Sequence, residues 1–380
     1  MKISIIIPVF NVQDYIAECL DSIIKNNYSN FEIICIDDAS NDNSYSILEK
    51  YAEKYDFIKI YRNEKNLGVA DTRNKGLALA SGEYIWFVDS DDMIDEKALV
   101  KIDKYINQNF DIICFSSIVF DKYTTAQFLD RNYKNFLKTI NTQQNWTSPL
   151  FLITNLWLTC IKKSFILQCN IQFSSGSTIF EDWDFLWKLS AHNPRVYYLN
   201  QSLYKYRTGT GTSLVQSYDD KNIEELFNTY NSIKKYLKKN EIFDKNERFC
   251  FIRANDIFLC FLHRKYSLKG LTKYIYLYHK FLNQIHPYLL DSIIPLYPKN
   301  TQNKIEIIRK HPIWGIYLIS CKIDKYGSKM YKHFNRFIYP FRIIVNSILG
   351  FISFGYNLFI VILKIVFISI KIILYWIRKE

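Results

Sequence analysis

Glycine and proline are scarce in this chain, which has 11 glycines and 8 prolines among its 380 residues. Together they make up about 5% of the chain, under half of the roughly 12% that is usual in soluble proteins. Long flexible linkers and collagen-like repeats depend on these two residue types, so the scarcity argues against both. Hydrophobic residues make up 49%, enough for a large core, and the length predicts two domains or one with an appendage.

The eight cysteines contain no CxxC pair and show no regular spacing. Several lie inside apolar runs, which indicates reduced, buried thiols in a cytosolic protein rather than a disulfide framework. The opening run MKISIIIPVF is ended by Pro8 and is too short for the apolar region of a signal peptide. We therefore interpret it as a first β-strand.

Basic residues are outnumbered by acidic ones in the first 100 residues and predominate in the rest of the chain. The first 100 residues carry 10 basic and 18 acidic side chains, whereas the remaining residues carry 39 basic and 19 acidic ones. A basic rear suits nucleic acid, an anionic membrane or a phosphate-bearing substrate, and composition leaves these three alternatives open. Nucleic acid is the weakest of them, because the positive charge accompanies an apolar terminal helix and no recognisable reading module.

Hydrophobic periodicity alternates between strand and helix over the first hundred residues. The predicted strands are 3–9, 31–36, 57–61 and 84–88, and the predicted helices between them are 12–26, 44–55 and 69–80. This rhythm predicts βαβ units with a parallel sheet and right-handed crossovers. In such sheets ligands bind beyond the carboxyl ends of the strands.

Acidic residues follow two of those strand ends. The last strand of the series is followed by Asp89, Asp91 and Asp92, three carboxylates within four residues that repel one another unless a cation neutralises them. Mg²⁺ or Mn²⁺ suits oxygen ligands and often shares its coordination sphere with substrate phosphates. Helix capping is the alternative explanation for Asp42 and Asp95, but it does not explain Asp89 and Asp91, which lie further upstream.

Four separated motifs occur in order: SIIIPVFN, IDDASNDNS, NLGVADTRNKGLALASGEYIWFVDSDD and FEDWDF. Over residues 1–210 the chain resembles the nucleotide-sugar-dependent glycosyltransferases of family 2, which have the GT-A fold. The resemblance implies an α/β protein with a doubly wound, mostly parallel sheet. Here that sheet is followed by a helical C-terminal extension.

The resemblance also implies residue roles on the donor side. It assigns donor binding to Pro8, Phe10, Asp38, Arg73, Asp89 and Arg207. Pro8 and Phe10 would line the base pocket, and Asp38 would accept a hydrogen bond from N3–H of uracil. Arg73 would lie near the diphosphate, with Arg207 as a clamp over it. Asp91 would ligate Mn²⁺ or Mg²⁺, and Asp92 would lie beside the ligand.

On the acceptor side, Glu181 and Asp182 open a predicted helix. Inversion requires a carboxylate that takes a proton from the acceptor hydroxyl while the donor leaves from the opposite face. Asp182 matches the family's base position, and Glu181 would then hold or orient the acceptor. The alternative is that both acids merely complement the positive end of a helix.

The C-terminal stretch 343–363 holds 21 residues without charge, long enough to cross a bilayer. Lys364, Lys371 and Arg378 then recur every seven residues, which gives an otherwise apolar helix one narrow polar stripe. This pattern favours a helix lying in the membrane interface. A transmembrane span and a buried or oligomer-forming helix are the alternatives.

The resulting organisation has three parts: a catalytic domain at 1–215 (nucleotide-sugar half 1–110, acceptor half 111–215), a basic aromatic helical region at 216–335 and a membrane-associating helix at 336–380. We expect a bacterial hexosyltransferase at the cytoplasmic face of the inner membrane. It would move Gal, Glc or N-acetylhexosamine from a UDP-sugar to a lipid-linked, lipooligosaccharide or capsular glycan. The alternatives are an inactive glycan-binding scaffold and a metal-dependent nucleotidyltransferase, although PVFNVQDY lacks the basic Gly-rich loop usual in the latter.

Overall fold

The computed structural model describes residues 3–120, 125–126, 155–177, 179–209, 220–243, parts of 247–259, 268–285, 287–297 and 299–310. All of them belong to one compact unit, Met1–Ile316. The predicted membrane-associating helix at 336–380 lies outside the described residues. Among the helices that are described, none combines the length and the hydropathy needed to cross a bilayer.

The first part of the chain alternates strand and helix, as predicted. Its elements are β1 (Ile3–Val9), α1 (Ile16–Ile24), β2 (Phe31–Asp37), α2 (Ser44–Lys54), β3 (Ile58–Arg62), α3 (Val69–Leu79) and β4 (Tyr84–Phe87). Strand β1 pairs in parallel with β2 and β4, and β2 pairs in parallel with β3. Helix α1 begins four residues later than expected, because the amides of Tyr15 and Ile16 both bond back to the carbonyl of Val12 in a turn.

The second part completes a mixed sheet. Its elements are β5 (Met93–Ile94), α4 (Ala98–Ile106), β6 (Ile112–Phe120), β7 (Thr125–Ala126), β8 (Thr159–Lys162), α5 (Lys163–Gln168), α6 (Glu181–Ser190) and β9 (Val196–Arg207). The strand order is β3-β2-β1-β4-β8-β6-β9-β5, with β7 paired to β6. Strand β8 lies antiparallel to both β4 and β6, whereas β6 and β9 are parallel. The sheet is therefore less parallel than the sequence led us to expect.

Helix α3 packs unusually close to the sheet. A Cβ atom at Gly76 would lie 2.3 Å from Cγ2 of Ile6 in β1 and 3.4 Å from Cδ1 of Ile36 in β2. No side chain fits in the space between helix and strand, so glycine is required by the packing itself. This close approach brings the first turns of α3 to the carboxyl ends of β1 and β4.

Helices follow the sheet as the sequence predicted. They are α7 (Asp220–Lys239), α8 (Leu268–Asn283), α9 (Pro287–Ile293) and α10 (Lys299–Lys310). Their core is aromatic: the ring of Phe258 lies 5.1 Å from that of Tyr278 and 4.8 Å from that of Phe281. The cysteines in the described part of the chain are buried, as the sequence predicted: Cys19, Cys35, Cys114, Cys160, Cys169 and Cys250.

Candidate active site

The loops after β1 and β2 are fixed to each other by hydrogen bonds. Asn11 and Ala39 adopt left-handed conformations, with φ of 51° and 59°. The amide of Asn11 donates to Oγ of Ser40 (3.0 Å), and the amide of Asn41 donates to Oδ1 of Asn11 (2.8 Å). The edge of the sheet where β1 and β2 end is therefore preorganised before any ligand arrives.

Asp38 lies in this edge with its side chain almost fully buried. Its Oδ1 accepts from Nδ2 of Asn63 (2.8 Å) and from the amide of Leu67 (2.9 Å), while its Oδ2 accepts from the amide of Gly68 (2.8 Å). Three donors hold the carboxylate in one orientation at the start of α3. Leu67 and Gly68 belong to the motif that was singled out from the sequence, but their backbone contact with Asp38 was not foreseen.

Pro8 and Phe10 stand at the carboxyl end of β1. Pro8 pairs with Ile36 in the parallel register and is partly exposed. Phe10 follows the strand with 42% of its surface exposed, although the neighbouring Val9 is completely buried. An aromatic ring exposed beside a buried carboxylate has an apolar face available for stacking against a flat ligand.

The acidic loop after β4 is anchored from β9. The Tyr204 hydroxyl donates to Oδ2 of Asp92 (2.7 Å) and accepts from the amide of Asp89 (3.1 Å). The amide of Arg207 donates to Oδ1 of Asp92 (2.7 Å), so both oxygens of this carboxylate are bonded to protein. Burial and then the nearby charges of Asp89 and Asp91 raise the pKa of Asp92. Asp92 therefore holds the loop in place.

Arg207, the last residue of β9, reaches across to the same loop. Its Nε donates to the carbonyl of Asp91 (2.8 Å), and its Nη2 pairs with Oε2 of Glu18 in α1 (2.5 Å). The guanidinium lies 4.7 Å from the ring of Phe120 and 5.2 Å from that of Tyr15. Arg207 therefore lies beside the acidic loop that follows β4.

The arrangement around Asp91 fits a divalent ion that is shared with a substrate. In the part of the chain that the structure describes, no three His, Cys, Asp or Glu side chains form a ready-made metal cage. Mg²⁺ commonly binds through one or two carboxylates and completes its shell with water and substrate phosphates. Asp91 is partly exposed, whereas Asp92 is buried. Asp91 is therefore the acid of this pair that suits such an ion.

Glu181 and Asp182 are the first two residues of α6, as predicted. The residue before them, Phe180, is left-handed with φ of 63°, an uncommon conformation for a bulky side chain. Oδ1 of Asp182 accepts from the amide of Trp183 (2.8 Å). Burial and then the charge of Glu181 raise the pKa of Asp182 well above its ordinary value. A carboxylate with a raised pKa is a stronger base, which suits a group that takes a proton from a hydroxyl.

Arg73 joins the two sides of the site. Its Nη2 pairs with Oδ1 of Asp89 (2.9 Å), and its Nη1 pairs with Oε1 of Glu181 (2.6 Å). Although burial lowers the pKa of Arg73, these two carboxylates raise it above its ordinary value. The residue is 5% exposed, and its Nε has no hydrogen-bond partner among the described residues. The resemblance places Arg73 near the diphosphate, and this role stays a prediction. In the structure the guanidinium lies between two acids.

The structure thus brings the predicted site residues into three connected groups at the carboxyl edge of the sheet. Asp38 is held at the start of α3, Asp91 is held by Arg207, and Asp89 is linked through Arg73 to Glu181. Sequence reasoning missed Asn63 and Tyr204, which orient these acids. Both bond to residues that are 25 or more positions away in the chain, and no local pattern marks them.

Comparison with known proteins gives the class. Residues 4–167 match the profile of glycosyl transferase family 2. The chain is 28% identical over 377 residues to the cholesterol galactosyltransferase of Borreliella burgdorferi, covering 90% of this chain and 97% of that protein. It is 28% identical to glycosyltransferase GlyG of Streptococcus pneumoniae, covering 57% of this chain and 74% of that one.

A solved structure matches the fold. The S. aureus TarS fragment 1–349 in complex with UDP-GlcNAc superposes with a TM-score of 0.63 at 22% identity, covering 84% of this chain and 90% of that one. The profile match, these relatives and the shared fold confirm the resemblance drawn from the motifs, and the chain has the GT-A fold. It therefore belongs with enzymes that transfer sugar from a nucleotide-sugar to a glycan or polymer acceptor.

Proposed function

We propose that the protein transfers a hexose from a UDP-sugar to a hydroxyl group of a lipid-linked or glycolipid acceptor, with inversion at the anomeric carbon. The observation that carries this proposal is the shared guanidinium of Arg73. It joins Asp89, in the loop after β4 that would bind the donor, to Glu181, which directly precedes the proposed base Asp182. The donor and the acceptor would therefore meet at one place.

On the donor side, Phe10 offers its exposed ring to the base, and Asp38 offers a fixed carboxylate to N3–H of uracil. Asp89 binds the ribose or the donor sugar, and Arg207 closes over the diphosphate. Asp91 would ligate Mn²⁺ or Mg²⁺, and the bound ion would neutralise the charge that develops on the leaving diphosphate. The TarS complex supports a UDP-sugar donor, since the fold shared with this chain binds UDP-GlcNAc there.

On the acceptor side, Asp182 takes the proton from the acceptor hydroxyl. The hydroxyl oxygen forms a bond to the anomeric carbon while the bond from that carbon to the UDP oxygen breaks, and UDP leaves with the electron pair. Glu181 stays paired with Arg73 and orients the acceptor. Inversion follows because nucleophile and leaving group occupy opposite faces of the sugar.

The acceptor proposal rests on the length of one match. The cholesterol galactosyltransferase aligns with 90% of this chain, well beyond the residues of the family profile, and so includes the basic helical region. Together with the apolar stretch at 343–363 and the basic residues Lys364, Lys371 and Arg378 that follow it, this match supports a lipid-borne acceptor. We place the enzyme at the cytoplasmic face of the inner membrane, held there peripherally by residues 336–380.

The test is a donor screen. The full chain is incubated with Mn²⁺, a set of UDP-hexoses and detergent-dispersed membrane lipid, and released UDP is measured. We expect UDP release that requires both the lipid extract and one class of UDP-hexose. The Asp182→Asn variant controls for contaminating hydrolases. Release that is equal in the variant, or absent with every UDP-sugar, would remove the proposed function.

A further inference from the structure

Helix α3 supports the whole segment that leads into the base. Asp71 accepts from Oγ of Ser175 (3.0 Å) and from the amide of Gly176 (3.2 Å). Asn74 forms two hydrogen bonds with the backbone of Phe173. The Asn74 Nδ2 donates to the Phe173 carbonyl (2.9 Å), and the Asn74 Oδ1 accepts from the Phe173 amide (2.9 Å).

Arg73 adds the third contact of this kind, to Glu181. Three of four consecutive residues of α3 are therefore bonded to a segment that lies about a hundred residues later in the chain.

The segment needs this support because its backbone is strained. Phe180 is left-handed immediately before Glu181. Such a conformation is unfavourable for a bulky residue and persists only where surrounding contacts determine it. From the other side, Oε2 of Glu225 in α7 accepts from the amide of Ile179 (3.0 Å). The base segment is thus held between α3 and α7.

The Arg73 bridge cannot be replaced by other cations of similar charge. Its two terminal nitrogens bond to carboxylates from different elements, one after β4 and one opening α6. A planar fork can reach both partners at once, whereas an ammonium group is a single point of charge on a flexible stem. Because the pair is buried, removal of the cation would leave Glu181 uncompensated.

We propose that Arg73 is a positioning residue for Asp182, and not a ligand of the diphosphate. Its guanidinium ties the loop that holds the donor to the first turn of α6 and so fixes where the base stands relative to the donor. This inference rests on the proposed function. It reassigns Arg73 from binding the donor to orienting the group that accepts the proton.

The electrostatic surroundings of Asp182 agree with this geometry. The charged groups that face it are Glu181 on its own helix, Arg73 from α3 and Asp89 from the end of β4. Burial raises the pKa of Asp182 most, Glu181 raises it further, and Arg73 lowers it. Loss of the Glu181 charge therefore lowers the pKa of the base.

The experiment separates donor binding from turnover in the full-length protein. For wild type, Arg73→Gln and Arg73→Lys, we would measure the Kd for UDP with Mn²⁺ by calorimetry and kcat at saturating donor. The matched control is Arg195→Gln, which alters an exposed arginine near Asn109. We expect Arg73→Gln to keep its UDP Kd within about threefold and to lose about 100-fold in kcat, the effect of a misplaced catalytic group.

Arg73→Lys should recover part of that loss, because it can keep one of the two ion pairs. A UDP Kd weakened 30-fold with kcat near wild type would make Arg73 a donor ligand and overturn the inference. Failure of the proposed function would instead appear in the wild type, as absence of UDP binding and of UDP release.

Glu181→Gln provides a second route if Arg73→Gln does not fold, since glutamine has the same shape and can still accept from Arg73. We expect unchanged UDP affinity, a reduced kcat and an acidic limb of the kcat–pH profile that moves to lower pH. A kcat and a pH profile identical to wild type would contradict the positioning role.

Discussion

The hydroxyl group of Tyr204 bonds at once to the side chain of Asp92 (2.7 Å) and to the backbone amide of Asp89 (3.1 Å). Tyr204 lies on β9 and the two acids lie in the loop after β4, more than 110 residues earlier. A single oxygen therefore fixes the conformation of the acidic loop from the acceptor half of the fold.

Tyr204→Phe removes that oxygen and nothing else. It leaves Oδ2 of Asp92 and the amide of Asp89 without this partner in a buried place, which costs about 1–3 kcal/mol. We expect the free energy of unfolding, measured by urea denaturation, to fall by that amount. The control Tyr276→Phe changes a tyrosine that is 61% exposed and should leave it unchanged. Equal stability of both variants would show that the bridge contributes nothing.

The Asp182→Asn variant tests the proposed role of Asp182 as the base. The amide side chain keeps the shape and loses the ability to take a proton, so kcat should fall by about 10²–10⁴-fold while the UDP Kd stays the same. Glu96→Gln alters an exposed acid and serves as the matched control. Near-normal turnover in Asp182→Asn would mean that another group is the base.

The same residue predicts the pH dependence of the wild type. Because the folded pKa of Asp182 is raised above its ordinary value of 3.8, the base is fully ionised only above that raised pKa. Activity should therefore be lost as pH falls through it, well above pH 4. The kcat–pH profile at saturating donor measures this directly, and a flat profile down to pH 4 would contradict it.

Glu32, buried in β2, predicts a pH-dependent stability. Burial alone would raise its pKa, but hydrogen bonds from Lys59, Ser4 and Ser81 hold the pKa well below its ordinary value of 4.5. A lowered folded pKa stabilises the protein above the unfolded pKa, and this contribution is lost as pH falls below it.

Glu32→Gln should accordingly lower the free energy of unfolding by about 1–3 kcal/mol at pH 7. The difference from wild type should shrink as pH falls below about 4.5. Denaturant melts at several pH values provide the measurement, with the exposed Glu53→Gln as control. A difference that is the same at every pH would mean that the charge of Glu32 is not what stabilises the protein.

Gly76→Ala tests the close packing of α3 on the sheet. The added methyl group would lie 2.3 Å from Cγ2 of Ile6, so the helix must move outward. We expect a loss of about 1–3 kcal/mol from overpacking, even though alanine favours helix. Leu79→Ala, at an exposed position of the same helix, is the control for helix propensity. A stabilised Gly76→Ala would contradict the packing account.

The sequence predicted the parallel half of the fold well, because buried β-branched runs alternate there with amphipathic helices. The bounds of β1 agree with the structure, and α2 and α3 each end one residue earlier than expected. It missed β5 and β8, which have two and four residues and pair with strands far away in the chain. Such short strands exist because of their partners and have no periodicity of their own.

The acids of the site could be predicted, because each belongs to a short sequence motif at the end of a strand. The bonds between them could not be predicted, because Arg73 bonds to Glu181 across 108 residues and Tyr204 bonds to Asp92 across 112. The role of Arg73 depends on these long-range contacts. A motif shows that an arginine is present at the start of a helix, but it does not show which anion the arginine bonds to.

In the proposed reaction, Asp91 would ligate a divalent ion that binds the diphosphate of a UDP-sugar. Calorimetric titration of UDP into the full chain, with and without Mn²⁺, tests it most directly. We expect wild type and the exposed-acid control Asp56→Ala to bind UDP at least 10-fold more tightly with Mn²⁺ than without it. Asp91→Ala should lose that difference. An equal gain from Mn²⁺ in Asp91→Ala, or no gain in wild type, would contradict the account.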